Sequence, residues 1–553
     1  MRLLYIILFF INSVYLQSQS LQLNINGKTN KEQKVIDSIS YTKKHITVSS
    51  IIDEVKKIDS ILIRIGYINH TITKQEKIND STFLYQYHLG NLIKKTIITT
   101  RNINAEYKNL LSIQKDTLSI PFFTTENCIT NKLKELEKKG YPLAKISLTN
   151  HQIKDNVLYC DLHFELDSKR MADEIIILGY EKFPKNIKIQ LNKYIKNKTF
   201  NQNLISKINN QINSLNYVKQ LKYPEILFTE NSTKIFTYIT KTKSNKFDGF
   251  IGFANNKEEK LVFNGYLDLL LINTLNSGEK IKFFWKNNGN QETLFSIENE
   301  LPYLFKTKLG IQSELNIFKQ DSSFQNTKLN LNLSYHFSFN QKALVGIQKT
   351  TSVDIQNINS NNLQNFQNVF YTFGYEYNEK NNINQFNEQK TRFDFKSGLG
   401  YRTNKTENNT QYFGQIEASR LIELNDKNNI LIKSNTYYLN SDNYLTNELY
   451  RFGGINSIRG FRENSLQTNF FSGIMTEYQY STSPNLQLYS VLDYAYTQDK
   501  TILKNNKLLG TGLGIKLLTN NGLLQIIYSN GSLNNQKIKL SNSVIQISFK
   551  AIF

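Results

Sequence analysis

Only two cysteines, Cys128 and Cys160, occur in the 553 residues, too few to staple a disulfide scaffold. Free cysteine is commonly a small buried apolar side chain, and the sequence leaves open whether these two pair. Six histidines are present, with no metal-ligand spacing among them. Neither a Gly-X-Ser-X-Gly elbow nor a phosphate-binding glycine loop occurs. No catalytic residue, cofactor or metal is therefore expected. Past the first twenty residues no stretch approaches the roughly 20 apolar residues that a membrane-spanning helix needs. Acids are also short: 46 against 67 bases, a formal net charge of +21. Lys and Asn are spread along the whole chain, so much of that charge falls on solvated faces. A basic surface suits a phosphate-bearing membrane as well as nucleic acid.

The N-terminus decides between those two partners. "MRLLYIILFFINSVYLQSQS" places a cation at Arg2 before an apolar run from Leu3 to Phe10, then small and polar residues. This is the order of a secretory signal peptide, cut after Ser18 or Ser20. The apolar core is short for a permanent anchor, and no cysteine near the cut would accept a lipid. A secreted chain does not meet nucleic acid. Its length exceeds one compact core, so two or more domains are expected.

The pattern changes near residues 243–247. Before it, helical and strand periods alternate in one unit that occurs three times, at residues 21–89, 90–168 and 169–245. The third copy is the clearest. "DEIIILGY" is a strand and "PKNIKIQLNKYIKN" a helix, and Leu204, Ile208, Ile212 and Leu215 form a second helical stripe. Two strands, "VKQLKYPEILFT" and "KIFTYITKT", follow. In the second copy Ile129, Leu133 and Leu136 mark a helix, and Leu158, Cys160, Leu162, Phe164 and Leu166 share one face of a strand. In the first copy "VSSIIDEVKKIDSILIRIGYINHTI" precedes "STFLYQYHLG". Strand, two helices, two strands is a small α+β unit with helices on one sheet face.

Residues 246–553 lack amphipathic helices. "KLNLNLSYHFSF", "VFYTFGYEY", "TRFDFKSGLGYR" and "LQLYSVLDYAYT" are segments of about ten residues with period two, rich in aromatics. Asn, Ser, Gly and Lys turns separate them. Apolar residues alternating with polar ones at this length predict an all-β transmembrane barrel of about sixteen antiparallel strands. A soluble β-sandwich would have fewer strands and fewer aromatics at their ends. The first strand is expected at 247–255, the eleventh at 429–440, the twelfth at 470–481, the thirteenth at 486–497 and the last at 541–553. In the last, Ile545, Ile547, Phe549, Ala551 and Phe553 share a face opposite Gln546, Ser548 and Lys550.

Between the eleventh and twelfth strands lies "LYRFGGINSIRGFRENS", where Arg451, Arg459, Arg462 and Glu463 alternate with glycines and apolar residues. If the N-terminal domains are periplasmic, odd strands run outward and this connection is an extracellular loop. The repeats with order β-α-α-β-β resemble POTRA modules. Joined to "FGG", "IRGF", "EY" at Glu477–Tyr478, "LDYA" and "GTGLGIK", they resemble the BamA/TamA superfamily of outer-membrane assembly and translocation proteins over the whole chain after the leader. Three repeats resemble the TamA branch in layout. The resemblance implies that the loop carrying Arg459, Gly460 and Phe461 folds back into the lumen. There Arg459 would pair with Asp493 of the thirteenth strand, with Glu477 of the twelfth as second candidate. By alternation both acids can face inward. Lys516 stands where the family often has arginine, and Asn521–Gly522 replaces its Pro-Gly turn.

The resemblance further implies a non-enzymatic insertase or translocase of the bacterial outer membrane, with its repeats in the periplasm. Its partners would be unfolded outer-membrane or secreted client polypeptides, the lipid and lipopolysaccharide of the membrane, and a periplasmic or inner-membrane protein. Clients would be handled at a lateral seam between the first and last strands. Gly249 and Gly252, which weaken the first strand, and Phe549 and Phe553 on the last mark it; strand glycines also relieve curvature. Two alternatives stand. A two-partner secretion transporter usually carries two POTRA domains and an N-terminal plug helix. A passive channel explains the barrel but neither the repeats nor the Arg459 loop.

Overall fold

The structure, a computed structural model, describes residues 20–255, 261–288, 292–356, 362–381, 386–404, 407–534, 536–538 and 543–553. The leader expected at residues 1–20 lies, apart from Ser20, outside the described residues. Two compact units are present, one running to Met171 and taking in 199–202, the other comprising 172–198 and 203–553.

The first unit holds two α/β modules of one plan. In the first module β1 (Leu21–Gly27), α1 (Asn30–Asp37), β2 (Lys44–His45), α2 (Val48–Ile65), β3 (Thr71–Asn79) and β4 (Thr82–His88) form a sheet of order β2-β1-β4-β3. The helices begin where the sequence can satisfy their free N–H groups. The Thr29 hydroxyl oxygen accepts from the Glu32 N–H and the Glu32 carboxylate accepts from the Thr29 N–H, a capping box at the start of α1. Helix α2 starts at Thr47 and ends at Gly66, whose φ of 115° is left-handed. Its buried stripe Ile51, Val55, Ile58 and Leu62 packs on Leu23, Ile25, Tyr85 and Tyr87 of the sheet.

The second module repeats this with β5 (Lys95–Thr99), α3 (Ala105–Leu110), β6 (Thr117–Pro121), α4 (Thr125–Lys138), β7 (Lys145–Lys154) and β8 (Val157–Glu165), in order β6-β5-β8-β7. Both modules insert a short edge strand between their helices. At two and five residues, β2 and β6 are too brief to leave a period in the sequence. Cys128 and Cys160 are both free. Burial, with the charge of Asp161 beside it, pushes the Cys160 thiol up to about 11, so it behaves as a core side chain.

The second unit opens with a module of β9 (Glu174–Leu178), α5 (Lys185–Ile195), α6 (Gln202–Asn213, its first residue belonging to the other unit), β10 (Val218–Phe228) and β11 (Thr233–Lys241), in sheet order β10-β11-β9. Leu204, Ile208 and Ile212 are buried on α6, as the stripe requires. Helix α5 seats this module on two strand-connecting turns of the barrel. Asn186 donates to the carbonyls of Ser277 (2.8 Å) and Pro302 (3.2 Å), and Gln190 to those of Lys306 (2.9 Å) and Thr307 (3.0 Å). These turns follow the second and fourth barrel strands, so connections after odd strands lie at the opposite end.

The barrel has sixteen antiparallel strands and closes. The first is Lys246–Asn255, the eleventh Asn428–Asn440, the twelfth Phe470–Ser483, the thirteenth Leu486–Asp499 and the last Val544–Ile552. Count and positions agree with the alternating pattern. The sixth strand, Phe324–Ser338, shows the solvent logic. Leu329, Leu331, Leu333, Tyr335 and Phe337 are exposed on the outside, while Asn330, Ser334 and His336 are buried within. Apolar outside and polar inside inverts a water-soluble protein. It is the arrangement that lipid demands, because backbone polar groups are satisfied in the ladder and apolar side chains meet hydrocarbon.

Candidate functional site

The connection from the eleventh to the twelfth strand turns back into the barrel. Its root is a short ribbon in which Tyr450–Phe452 pairs antiparallel with Leu466–Thr468. Tyr450 stacks on Tyr437 with ring centroids 4.5 Å apart. Phe452 and Ile458 bury against Phe471, Met475, Ala495 and Leu508 of the inner wall. This apolar seat carries the loop to the acids on the twelfth and thirteenth strands.

There Arg459 meets both. Its backbone N–H and Nε donate to Asp493 Oδ2 at 3.0 and 2.8 Å, and Nη2 to Asp493 Oδ1 at 2.5 Å. Nη1 donates to Glu477 Oε1 at 2.5 Å, and Nη2 also reaches the Thr476 carbonyl at 3.3 Å. The fork of the guanidinium suits a bidentate carboxylate. Arg459, Glu477 and Asp493 are 3%, 4% and 0% exposed, so the contacts are shielded from solvent and from screening.

The motif glycine has a mechanical reason. Gly460 has φ 88°, and a Cβ there would lie 2.3 Å from the Asn530 carbonyl carbon and 2.5 Å from the Gly531 nitrogen. Gly510, in the fourteenth strand (Lys504–Thr519), takes the Arg459 carbonyl where its own Cβ would be, at 2.3 Å. Phe461 lies over Gly531, whose Cβ would sit 2.8 Å from the ring. Gly460→Ala is therefore expected to lift the loop from the wall. The left-handed backbone alone costs about 1–2 kcal/mol, and the clash adds to it. Faster protease cleavage within 453–465 of the membrane-embedded protein, relative to wild type, is the check.

Residues that the motif did not name complete the site. Lys516 Nζ and Gln479 Nε2 hold Glu477 Oε2 at 3.3 and 2.8 Å. Glu463 of the loop pairs with Lys286, and Asn464 donates to Glu292 Oε1 at 2.9 Å. The buried pair Arg402–Glu448 was also missed. Arg402 alternates with the exposed Tyr401, which marks it as inward-facing, but nothing in the sequence joins it to a loop acid.

The expected seam residues lie on or beside the first and last strands. Gly249 and Gly252 pair with Leu267 and Asn264 of the second strand, and Phe549 pairs with Leu524 of the fifteenth. None of the three pairs across the junction. Phe553 does, exchanging backbone hydrogen bonds with Asn245 at 3.0 and 3.3 Å. Beyond that, only Lys246↔Ile552 and Phe247↔Ala551 join the first strand to the last among the described residues. A cavity of about 670 Å³ is lined by Arg459, Glu477 and Lys516 and, at the junction, by Asp248 and by residues of both faces of the last strand, Ile545 and Gln546.

No family model matches the sequence, and no curated protein sequence matches it. Solved structures do match in shape. CdiB from Acinetobacter baumannii aligns with TM-score 0.51 and 13% identity, over 98% of this chain and 91% of that one. CdiB from Escherichia coli aligns with TM-score 0.52 and 13% identity, over 91% and 97%. The fold of this chain is similar to that of these two CdiB structures. BamA from Haemophilus ducreyi lacking POTRA domains 1–3 aligns less well, with TM-score 0.47 and 14% identity over 82% of this chain and 98% of that one. These likenesses do not single out the TamA branch. The protein is a closed sixteen-strand β-barrel with an apolar outer face, preceded in sequence by α/β modules.

Proposed function

We propose that this chain inserts or translocates polypeptides at the outer membrane, without catalysis, by opening the junction between its first and last strands. Unfolded clients would be received on the modules taken as residues 21–89, 90–168 and 169–245, and passed to that junction from the periplasm. The observation that carries the reading is the junction itself. Among the described residues, ten pairs join the first strand to the second and eight join the fifteenth to the last, but two join the last to the first. Unpaired strand edges invite another strand, and in lipid each unsatisfied backbone group is costly. A client strand would satisfy both edges.

A second reading, the export of a dedicated partner through the lumen, is favoured by the shape of CdiB, a two-partner secretion transporter. Locking the junction separates the two. Lys246↔Ile552 is the pair to choose, since it adjoins the mutually hydrogen-bonded Asn245–Phe553 pair and alternation makes it the closer, non-hydrogen-bonded kind. Cysteines there meet the roughly 3.5–4.5 Å Cβ separation of a disulfide. The locked protein should fold normally yet fail to assemble clients, and reductant should restore it. Full activity in the locked state would exclude lateral handling and leave passage through the lumen.

A further inference from the structure

The loop also holds the fifth, sixth, seventh, ninth and tenth strands by contacts that owe nothing to Arg459. At its root Glu448 pairs with Arg402 of the ninth strand (Gln389–Asn404), with side-chain exposures of 2% and 1%. Glu448 also accepts from Gln411 Nε2 at 2.9 Å and from the Leu445 N–H at 2.8 Å. Asn447 donates to Ser352 Oγ at 2.7 Å and to the Gln364 carbonyl at 2.8 Å, and its own carbonyl accepts from Asn326 at 2.6 Å. The Arg451 guanidinium lies 5.1 Å from the Phe318 ring and 5.3 Å from the Phe324 ring, a cation–π clamp on the fifth and sixth strands. Arg459 fastens the same loop to the twelfth and thirteenth strands.

Between these contacts and those of Arg459 the loop lies in the lumen. Cavities of about 440, 670 and 320 Å³ are each lined by loop residues: Arg451 and Gly453 in the first, Arg459 and Glu463 in the second, Glu448 and Arg451 in the third.

We propose that Arg402 is a positioning residue for this loop: with Glu448 it forms a second, independent fastening that keeps the lumen closed to polypeptide when Arg459 lets go. This deepens the lateral reading and rests on it for its purpose, since a braced lumen directs a client to the wall. Breaking a buried ion pair at one end leaves its partner's charge uncompensated, so each fastening resists release alone, and loss of both leaves only weaker holds such as the part-exposed Glu463–Lys286 pair.

Conductance of the full-length protein in planar lipid bilayers tests this without any client, and so fails or succeeds independently of the junction lock. Arg459→Ala and Arg402→Ala should each stay within about twofold of wild type, while the double variant should rise by about tenfold, the shift that about 1.4 kcal/mol of lost bias produces. A chain lacking residues 446–466 sets the open level. Arg402→Glu combined with Glu448→Arg, in the Arg459→Ala background, should return conductance to the closed level, a rescue that a merely structural role for Arg402 would not give. Heat-modifiable migration verifies that each variant is folded, and Glu448→Gln, which keeps the shape, replaces Arg402→Ala if that variant is not. Arg459→Ala alone reaching the open level would overturn the proposal, as would a folded double variant that stays closed.

Discussion

Arg459→Ala will free the inner segment of the lumen loop and, on the function proposed above, impair client handling, although the barrel itself remains assembled. The side chain makes three of the four contacts that hold Asp493 and Glu477 to this segment, the backbone N–H of the same residue making the fourth. Removing one partner of a buried ion pair costs about 3–5 kcal/mol, because the abandoned charges lose their compensation; Glu477 keeps Lys516, which places the loss toward the lower end. Arg459→Lys should fall close to Arg459→Ala, since one ammonium cannot reproduce a fork that spans two carboxylates. Asp493→Ala should resemble both. Protease accessibility of 453–465 in intact membranes measures the release, and the outer-membrane proteome after complementation measures the function. Silence of Arg459→Ala and Asp493→Ala in both assays would remove any functional role from the contact.

Much of this architecture was visible in the chain because lipid imposes a period of two. Leu329, Leu331 and Leu333 face outward and Asn330 and Ser334 inward, a rule with no dependence on what lies across the barrel. The strands around the loop were placed within a residue or two for the same reason. Helix stripes such as Leu204, Ile208 and Ile212 were equally legible, while β2, with two residues, was not. Long-range partners obey no period. Arg459 was joined to Asp493 and Glu477 through a motif, whereas Arg402 and Glu448 carry none, and their pairing is decided only when the loop crosses the lumen. Gly249 and Gly252 were legible as strand glycines and lie on the first strand, whereas how few residues span the junction could not be read from any period.

Those few residues make deletion of Ala551, Ile552 and Phe553 the most damaging small change available. Ala551 and Ile552 supply both residue pairs across the junction, and Phe553 supplies the two backbone hydrogen bonds to Asn245. Ala551 also pairs with Gly522, and the Ile552 N–H donates to the Asn521 carbonyl at 2.9 Å, so the same deletion loosens the hairpin behind it. Without them no described residue of the last strand pairs with the first, and two strand edges face hydrocarbon, where each unsatisfied group costs several kcal/mol. The shortened protein should lose its heat-modifiable migration and surface exposure, and accumulate in the periplasm as degraded or aggregated chain. Phe553→Ala discriminates the physical cause. Its junction hydrogen bonds are made by the backbone, so the barrel should still close, with only the contribution of one half-exposed ring lost. If Phe553→Ala were as damaging as the deletion, the aromatic side chain would be acting as a recognition signal during assembly. Normal migration and exposure of the deleted chain would show instead that closure does not depend on these residues.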